Sequence, residues 1–342
     1  MAGLADTPLR VTRKEILAFR RRNGSLDGRM PKGPKSLRRA AWAGLQDSMP
    51  RAALLSLHAR VDGVESSSWE HSSLAQLWGP RYNAYVVAKR DFALFSLGRL
   101  PDNARGRLRA ESMAERLHAG LSGRRMTDRE LGSALGVGNE MRYAATTGTI
   151  AIRWEGARAP TVWSVAAPKV APADARRELA RRYLHVFGPS TPERFARWAG
   201  ISRRAGAVAF ASLEPSLLAV RSPLGDEWLL AEDEPAIRAG EAAAVPPRLL
   251  PSGDAYFLHH GAERELLVPR PELRKRLWTP RVWPGALLVE DEITGTWRRA
   301  QHSVVIDTWA RLSRETRHAI DAEAMTLPLP GLERPIEVVW NT

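Results

Sequence analysis

The sequence predicts an α+β fold: three tandem winged-helix (helix-turn-helix) units followed by a small C-terminal β-rich, barrel-like domain. Three observations predict it. Helix, turn, helix and hairpin patterns recur in that order over residues 10 to 240; two of these segments repeat their signals 63 to 64 residues apart; and beyond Val245 helical periodicity gives way to short β-prone runs. A chain of 342 residues exceeds what one core organises. The expected boundaries are 10–100, 104–168, 172–242 and 245–342.

The first unit opens with Thr12 and Glu15 in capping-box spacing, so residues 12 to 22 read as a short amphipathic helix carrying Ile16, Leu17 and Phe19. From Ser36 to Val61 apolar residues recur at helical spacing with a break at Met49-Pro50, predicting two helices with Pro50 in the first turn of the second. LAQLWGPRYNAYVVAKRD then reads as a hairpin around a Gly-Pro turn. In the second unit an amphipathic helix over Arg107 to Leu121 precedes a Thr127/Glu130 capping box, a Gly136 turn and a helix from about Asn139. Strands follow at Ile150 to Trp154 and Thr161 to Val165, joined by a Gly156 to Pro160 turn. The third unit repeats the scheme: a helix over Ala173 to Phe187, Ser190 and Glu193 aligned on Thr127 and Glu130, Gly200 on Gly136, and strands at Leu217 to Arg221 and Glu227 to Leu230. In the last segment RLLPSGDAYFLHH, RELLVPRP and RVWPGALLVEDEITGTWRRAQHSVVIDTW read as β-prone runs, closed by a helix near Arg311 to Ala324 and an IEVVW strand.

Composition narrows the function. There is no cysteine, which excludes disulfides and thiolate metal sites, and no signal peptide or membrane span is evident, so a soluble cytoplasmic protein is expected. The net charge of +13 favours polyanions. Only six of the 51 basic residues are Lys, a bias that GC-rich coding explains, yet residues 1 to 60 hold 13 Lys/Arg against 4 Asp/Glu. Arg20, Arg21, Arg22, Arg29, Lys32, Lys35, Arg38 and Arg39 flank GSLDGRMPKGPKS, read as an exposed loop and hence as a phosphate-contacting face. Helix-turn-helix units present their second helix to the major groove. That role falls to Asn139, Glu140 and Arg142, and to Ser202, Arg203 and Arg204.

Eight histidines show no metal spacing; His259 and His260 are adjacent and would point oppositely on a strand. No phosphate-binding glycine loop or dinucleotide fingerprint is present, so neither metal nor nucleotide cofactor is expected. One polar cluster, Gln46, Asp47 and Ser48, interrupts an apolar run before Pro50. Asp47 or Ser48 could cap the following helix, or the cluster could orient a water for attack at a sugar carbon; the residues leave both open.

GLQDSMPRAALLSLHARV, LWGPRYNAYVV, RYLHVFGPSTPERFARWAG, LLPSGDAYFL and LLVEDEITGTWRR stand in an order that resembles the winged-helix family of bacterial DNA glycosylases of the AlkZ and YcaQ type, which unhook interstrand crosslinks. The resemblance implies a concave DNA channel formed by three winged helices, a C-terminal β-barrel, and metal-free cleavage of the N-glycosidic bond of alkylated purines. That family carries Gln-apolar-Gln or Gln-apolar-Asp at this place. Aligning on Pro50-Arg51 sets Gln46, Asp47 and Ser48 there, whereas a shift of one residue sets Leu45, Gln46 and Asp47; neither register keeps the triplet. The implied roles are Asp47 stabilising an oxocarbenium-like sugar and positioning water, Gln46 orienting that water, and Arg51 and Arg81 holding phosphates. The expected protein is a monomer acting on duplex DNA. The competing classes are a non-catalytic DNA-binding regulator, which binds undamaged DNA selectively, and a protein-interaction scaffold, which has no salt-dependent DNA affinity.

Overall fold

The computed structural model describes residues 7–49, 51–156, 158–240, 245–332 and 334–341. Pro50, and with it the expected first-turn proline, lies outside the described residues. The described residues mix helices with three separate sheets.

Strand β1 (Leu9–Arg10) leads into helix α1 (Arg13–Asn23), whose Thr12/Glu15 capping box forms as expected. These elements do not close on the first unit. β1 runs parallel to β8 (Leu217–Ser222), and Ile16 and Phe19 of α1 bury against Val220, Leu229 and Ile237. The apolar stripe of α1 therefore completes the third segment's core.

Helix α2 (Pro34–Ala40) ends early, strand β2 (Leu45–Gln46) follows, and helix α3 spans Ala52–His58. The long helix expected up to Met49 is not formed. Gly44 turns the chain at φ +77°, and Leu45 and Gln46 leave helical spacing to pair with a strand. Strands β3 (Leu74–Trp78) and β4 (Ala84–Ala88) make the hairpin, and helix α4 (Phe92–Leu97) follows.

Helix α5 (Ala104–Leu121), short strand β5 (Met126–Thr127) and helix α6 (Asp128–Leu135) open the next segment. A 3-10 stretch, Asn139–Thr147, stands where a second α-helix was expected, and β6 (Ile150–Arg153) and β7 (Thr161–Ser164) form the hairpin. Helix α7 (Pro172–Phe187), helix α8 (Pro192–Ala199), helix α9 (Arg203–Ala211), β8 and β9 (Gly225–Leu230) repeat the order, and the short helix α10 (Glu234–Arg238) follows. The cap of α8 is Thr191, not Ser190: the Thr191 side chain accepts from Arg194 N, while Ser190 is buried against the Tyr183 hydroxyl at 2.9 Å. Corrected by that residue, α8 lies 64 positions after α6, the same offset as between the left-handed caps Gly136 and Gly200.

The first two hairpins fuse into one sheet of order β2-β4-β3-β6-β7-β5, joined where Gln76 pairs with Ile152. The C-terminal segment holds β10 (Arg248–Leu250), helices α11 (Ala262–Leu267) and α12 (Pro271–Leu277), strands β11 (Gly285–Val289), β12 (Glu292–Ala300) and β13 (Ser303–Thr308), helix α13 (Arg314–Met325) and β14 (Glu337–Asn341). Among the described residues its sheet runs β10-β11-β12-β13-β14 with β10 and β14 at its edges, so it is an open sheet rather than a closed barrel. RELLVPRP forms the end of α11, a short connection and the start of α12 rather than β, because Leu266 and Leu267 bury one helical face and Pro271 suits the first turn of α12. His259 and His260 follow a 3-10 turn at Ala255–Phe257 and lie on no strand. No helix among the described residues is long and apolar enough to cross a membrane.

Candidate active site

Strand β2 sits at the edge of the fused sheet. Leu45 pairs with Val86 and Gln46 with Tyr85, and Asp47 N donates to Ala84 O at 2.8 Å, so residues 45–47 are pinned as extended chain. Gly44 makes this approach possible. A Cβ there would lie 2.7 Å from the Phe95 ring.

The three polar residues then diverge. Gln46 is half-buried, its Oε1 accepting from the Tyr85 hydroxyl at 3.3 Å, and its amide lies against Gly253, which has φ +79°. Asp47 turns inward and is 1% exposed. Its Oδ1 accepts from Ala53 N at 3.0 Å in the first turn of α3, and its Oδ2 accepts from Gln76 Nε2 at 2.8 Å. Burial pushes the Asp47 carboxyl up to about 7, against the pull of the Ala53 hydrogen bond, Arg51 and Gln76. A direct role for Asp47 on the sugar or the water is thereby corrected: both oxygens are occupied away from solvent, and the carboxylate caps α3. Ser48 lines a cleft instead. Its Oγ is buried with no hydrogen-bond partner among the described residues, and the cleft, of about 280 Å³, is walled by Trp78, Asn83, Arg142 and Trp154.

Gln76 ties this site to the second hairpin. While its Nε2 bonds Asp47, its Oε1 accepts from Trp154 N at 2.6 Å. Arg51 reinforces the link, donating to Glu155 O at 2.6 Å and lying 4.1 Å over the Trp69 ring. Sequence reasoning missed Gln76 and Asn83. The signal for Gln76 was a polar residue inside the otherwise apolar LAQLW strand.

The expected DNA-contacting cations separate into two groups. Arg20 and Arg21 are 2% and 0% exposed: Arg20 donates to Gly188 O, and Arg21 donates to Pro246 O and pairs with Asp27. Neither can meet a phosphate, which corrects that expectation; both faces of α1 are covered by other segments. Arg22 spends its guanidinium on Ala236 O and Gly240 O, Arg51 on the Glu155 carbonyl, and Arg81 contacts His260. Lys32 pairs with Glu65, and Arg39 lies over Trp42 near His185. The side chains of Lys35, Arg38, Arg142, Arg203 and Arg204 make no hydrogen bond or ion pair with any described residue, although Arg142 lies 5.9 Å from the Trp78 ring. Arg203 and Arg204 open α9 on its exposed side. No group of three His, Asp or Glu that could hold a metal occurs among the described residues.

A family model described as DNA glycosylase AlkZ-like matches residues 39–327, which takes in the cleft and every strand except β1 and β14. The chain belongs to the AlkZ-like DNA glycosylase family. A curated relative, the interstrand DNA cross-link repair glycosylase of Streptomyces sahachiroi, is 26% identical over 181 residues, covering 49% of this chain and 46% of that protein. The chain thus matches about half the length of that relative. The solved structure of Streptomyces sahachiroi DNA glycosylase AlkZ superposes with a TM-score of 0.78 at 19% identity, over 97% of this chain and 100% of that one. The AlkZ-like fold is therefore shared through nearly the whole chain.

Proposed function

We propose that this AlkZ-like protein is a metal-free DNA glycosylase that hydrolyses the N-glycosidic bond of N7-alkylated or crosslinked purines in duplex DNA. In this reading the helix-helix-hairpin segments are three winged helices that grip the duplex, with Lys35, Arg38, Arg203 and Arg204 meeting phosphates. The observation that carries it is the Ser48 hydroxyl, buried in the wall of the cleft with no hydrogen-bond partner among the described residues, two residues beyond Gln46 of β2.

A purine alkylated at N7 is cationic and needs no protonation to leave. The C1′–N9 bond breaks, its electron pair neutralises the base, and a water oxygen bonds C1′ as its proton passes to solvent. Ser48, which lines the cleft, holds that water and Gln46, two residues before it, places its amide dipole beside the developing sugar cation, while Asp47 fixes the segment between them without touching either. A duplex carrying one N7-methylguanine, incubated with the protein and heated in alkali, gives strand scission at the lesion. Gln46→Ala or Ser48→Ala lowers the rate by about 10²-fold, the scale of a lost positioning group; scission no faster than without protein rejects the proposal.

The sealed Asp47 favours one competing reading, a non-catalytic DNA-binding protein. It predicts duplex affinity with no abasic product.

A further inference from the structure

Gln46 is held from both sides by groups that the water-positioning step does not use. Antiparallel pairing sets Tyr85 of β4 directly opposite Gln46, so both side chains leave the same face of the sheet. The Tyr85 ring has little room to move. It is 1% exposed, and a Cβ on Gly79 or Gly44 would lie 2.8 or 3.1 Å from it. Its hydroxyl donates to Gln46 Oε1 at 3.3 Å. On the other side the Gln46 amide nitrogen faces Gly253, where a Cβ would stand 3.2 Å from it, and it makes no hydrogen bond to any described residue.

A hydroxyl both donates and accepts, so Tyr85 alone would serve either end of the amide. Arg81 removes that freedom. Burial carries the Tyr85 hydroxyl up to about 12, and the Arg81 guanidinium beside it pulls the other way, so the phenol keeps its proton across the working pH range. A guanidinium has donors only. Beside the phenol oxygen it takes the lone-pair side and turns the O–H towards Gln46, which must answer with its carbonyl rather than its NH2 group. Arg81 is itself aimed by its surroundings: its backbone is left-handed at φ +54°, Gly200 admits that turn because a Cβ there would meet Arg81 N at 3.0 Å, and His260 Nε2 accepts from the guanidinium. A flipped amide would exchange the negative and positive ends of the dipole beside the sugar cation, so the sign of the Gln46 contribution depends on this chain of donors.

We propose that Tyr85, oriented by Arg81, is a positioning residue that fixes which end of the Gln46 amide faces the reaction, and that Arg81 serves this chain rather than a DNA phosphate. The inference rests on the glycosylase reading for the role of Gln46, and its test separates the two. The full-length protein is assayed on N7-methylguanine duplex in single turnover at saturating protein. Tyr85→Phe, which keeps the ring in place and removes only the donor, lowers the base-release rate about tenfold while duplex affinity stays within about twofold. Arg81→Met, a change outside the buried core, lowers it by a similar factor with the salt dependence of binding unchanged. Arg81→Lys, again a donor-only cation, restores most of the rate. In the Gln46→Ala background Tyr85→Phe has no further effect, because a residue that acts only through Gln46 has nothing left to position; general damage to the fold would add. The hydrogen bond is also read without catalysis. In nuclear magnetic resonance of protein isotope-labelled at glutamine side-chain nitrogen, the amide signals missing from Gln46→Ala shift in Tyr85→Phe and Arg81→Met. If no protein releases base yet those signals shift, the donor chain stands and only the hydrolase reading falls. Unmoved signals, a Tyr85→Phe rate equal to that of an active wild type, a loss additive with Gln46→Ala, or weaker and less salt-dependent duplex binding by Arg81→Met overturns the proposal.

Discussion

Asp47 shows how burial decides the role of a side chain that sequence leaves ambiguous. Among Gln46, Asp47 and Ser48 the carboxylate is the obvious chemical group, yet its two oxygens serve Ala53 N and Gln76 Nε2. Its folded-state pKa, about 7 against an ordinary 3.8, means that the folded protein holds this proton more tightly than the unfolded chain does. Its contribution to stability is therefore complete below about pH 4 and drains away as pH rises towards 7. Asp47→Asn, which keeps an acceptor for Ala53 without a charge, flattens that part of the profile in urea unfolding measured between pH 4 and 8, and leaves the base-release rate of folded protein unchanged. Asp47→Ala also leaves Gln76 Nε2 without its nearest acceptor and costs about 1–3 kcal/mol.

At the scale of elements, much was legible. The capping boxes at Thr12 and Thr127, the hairpins at Leu74–Ala88, Ile150–Ser164 and Leu217–Leu230, and the long helices α5 and α7 follow from local periodicity and turn chemistry. Long-range pairing is what escaped. Leu45 and Gln46 continue a helical pattern in sequence, but Gly44 breaks it and β4 offers an open edge, so a two-residue strand replaces half a helix. The fate of α1 was hidden for the same reason: its basic residues read as a surface until β8 and the Gly188–Pro189 carbonyls are placed beside them. The site was accordingly half-visible, with Ser48 and Arg142 named and Gln76 and Asn83 missed. Gly44→Ala tests the strand directly. It forces a side chain into left-handed backbone and onto the Phe95 ring, so it costs about 2–4 kcal/mol in chemical denaturation. In the surviving folded fraction it lowers base release, because the strand that carries Gln46 moves.

Across the whole molecule, buried ion pairs staple the segments together. Burial alone would raise Asp254, but Arg60, Ser56 and Tyr256 N hold it below the usual carboxylate range; the Arg60 fork spans 2.7 and 2.9 Å and joins the chain after α3 to the C-terminal segment. Arg60→Ala leaves that carboxylate buried and unpaired, and costs about 3–5 kcal/mol in equilibrium unfolding. The +13 charge acts at the same scale. Duplex affinity falls steeply with salt, and removing Arg203 or Arg204 lessens the slope of log K against log salt by about 0.9 each; the double variant of the buried Arg20 and Arg21 would change stability instead. In the proposed reaction Gln46, on β2, and Ser48, two residues beyond it, position the water that breaks the glycosidic bond. Its most direct measurement is mass spectrometry of the free base liberated from N7-methylguanine duplex under single-turnover conditions, with wild-type, Gln46→Ala and Ser48→Ala proteins of equal duplex affinity. Stoichiometric N7-methylguanine from the wild type and about a hundredth of that rate from either variant is the predicted result; wild-type release at the spontaneous rate, or variants as fast as the wild type, contradicts it.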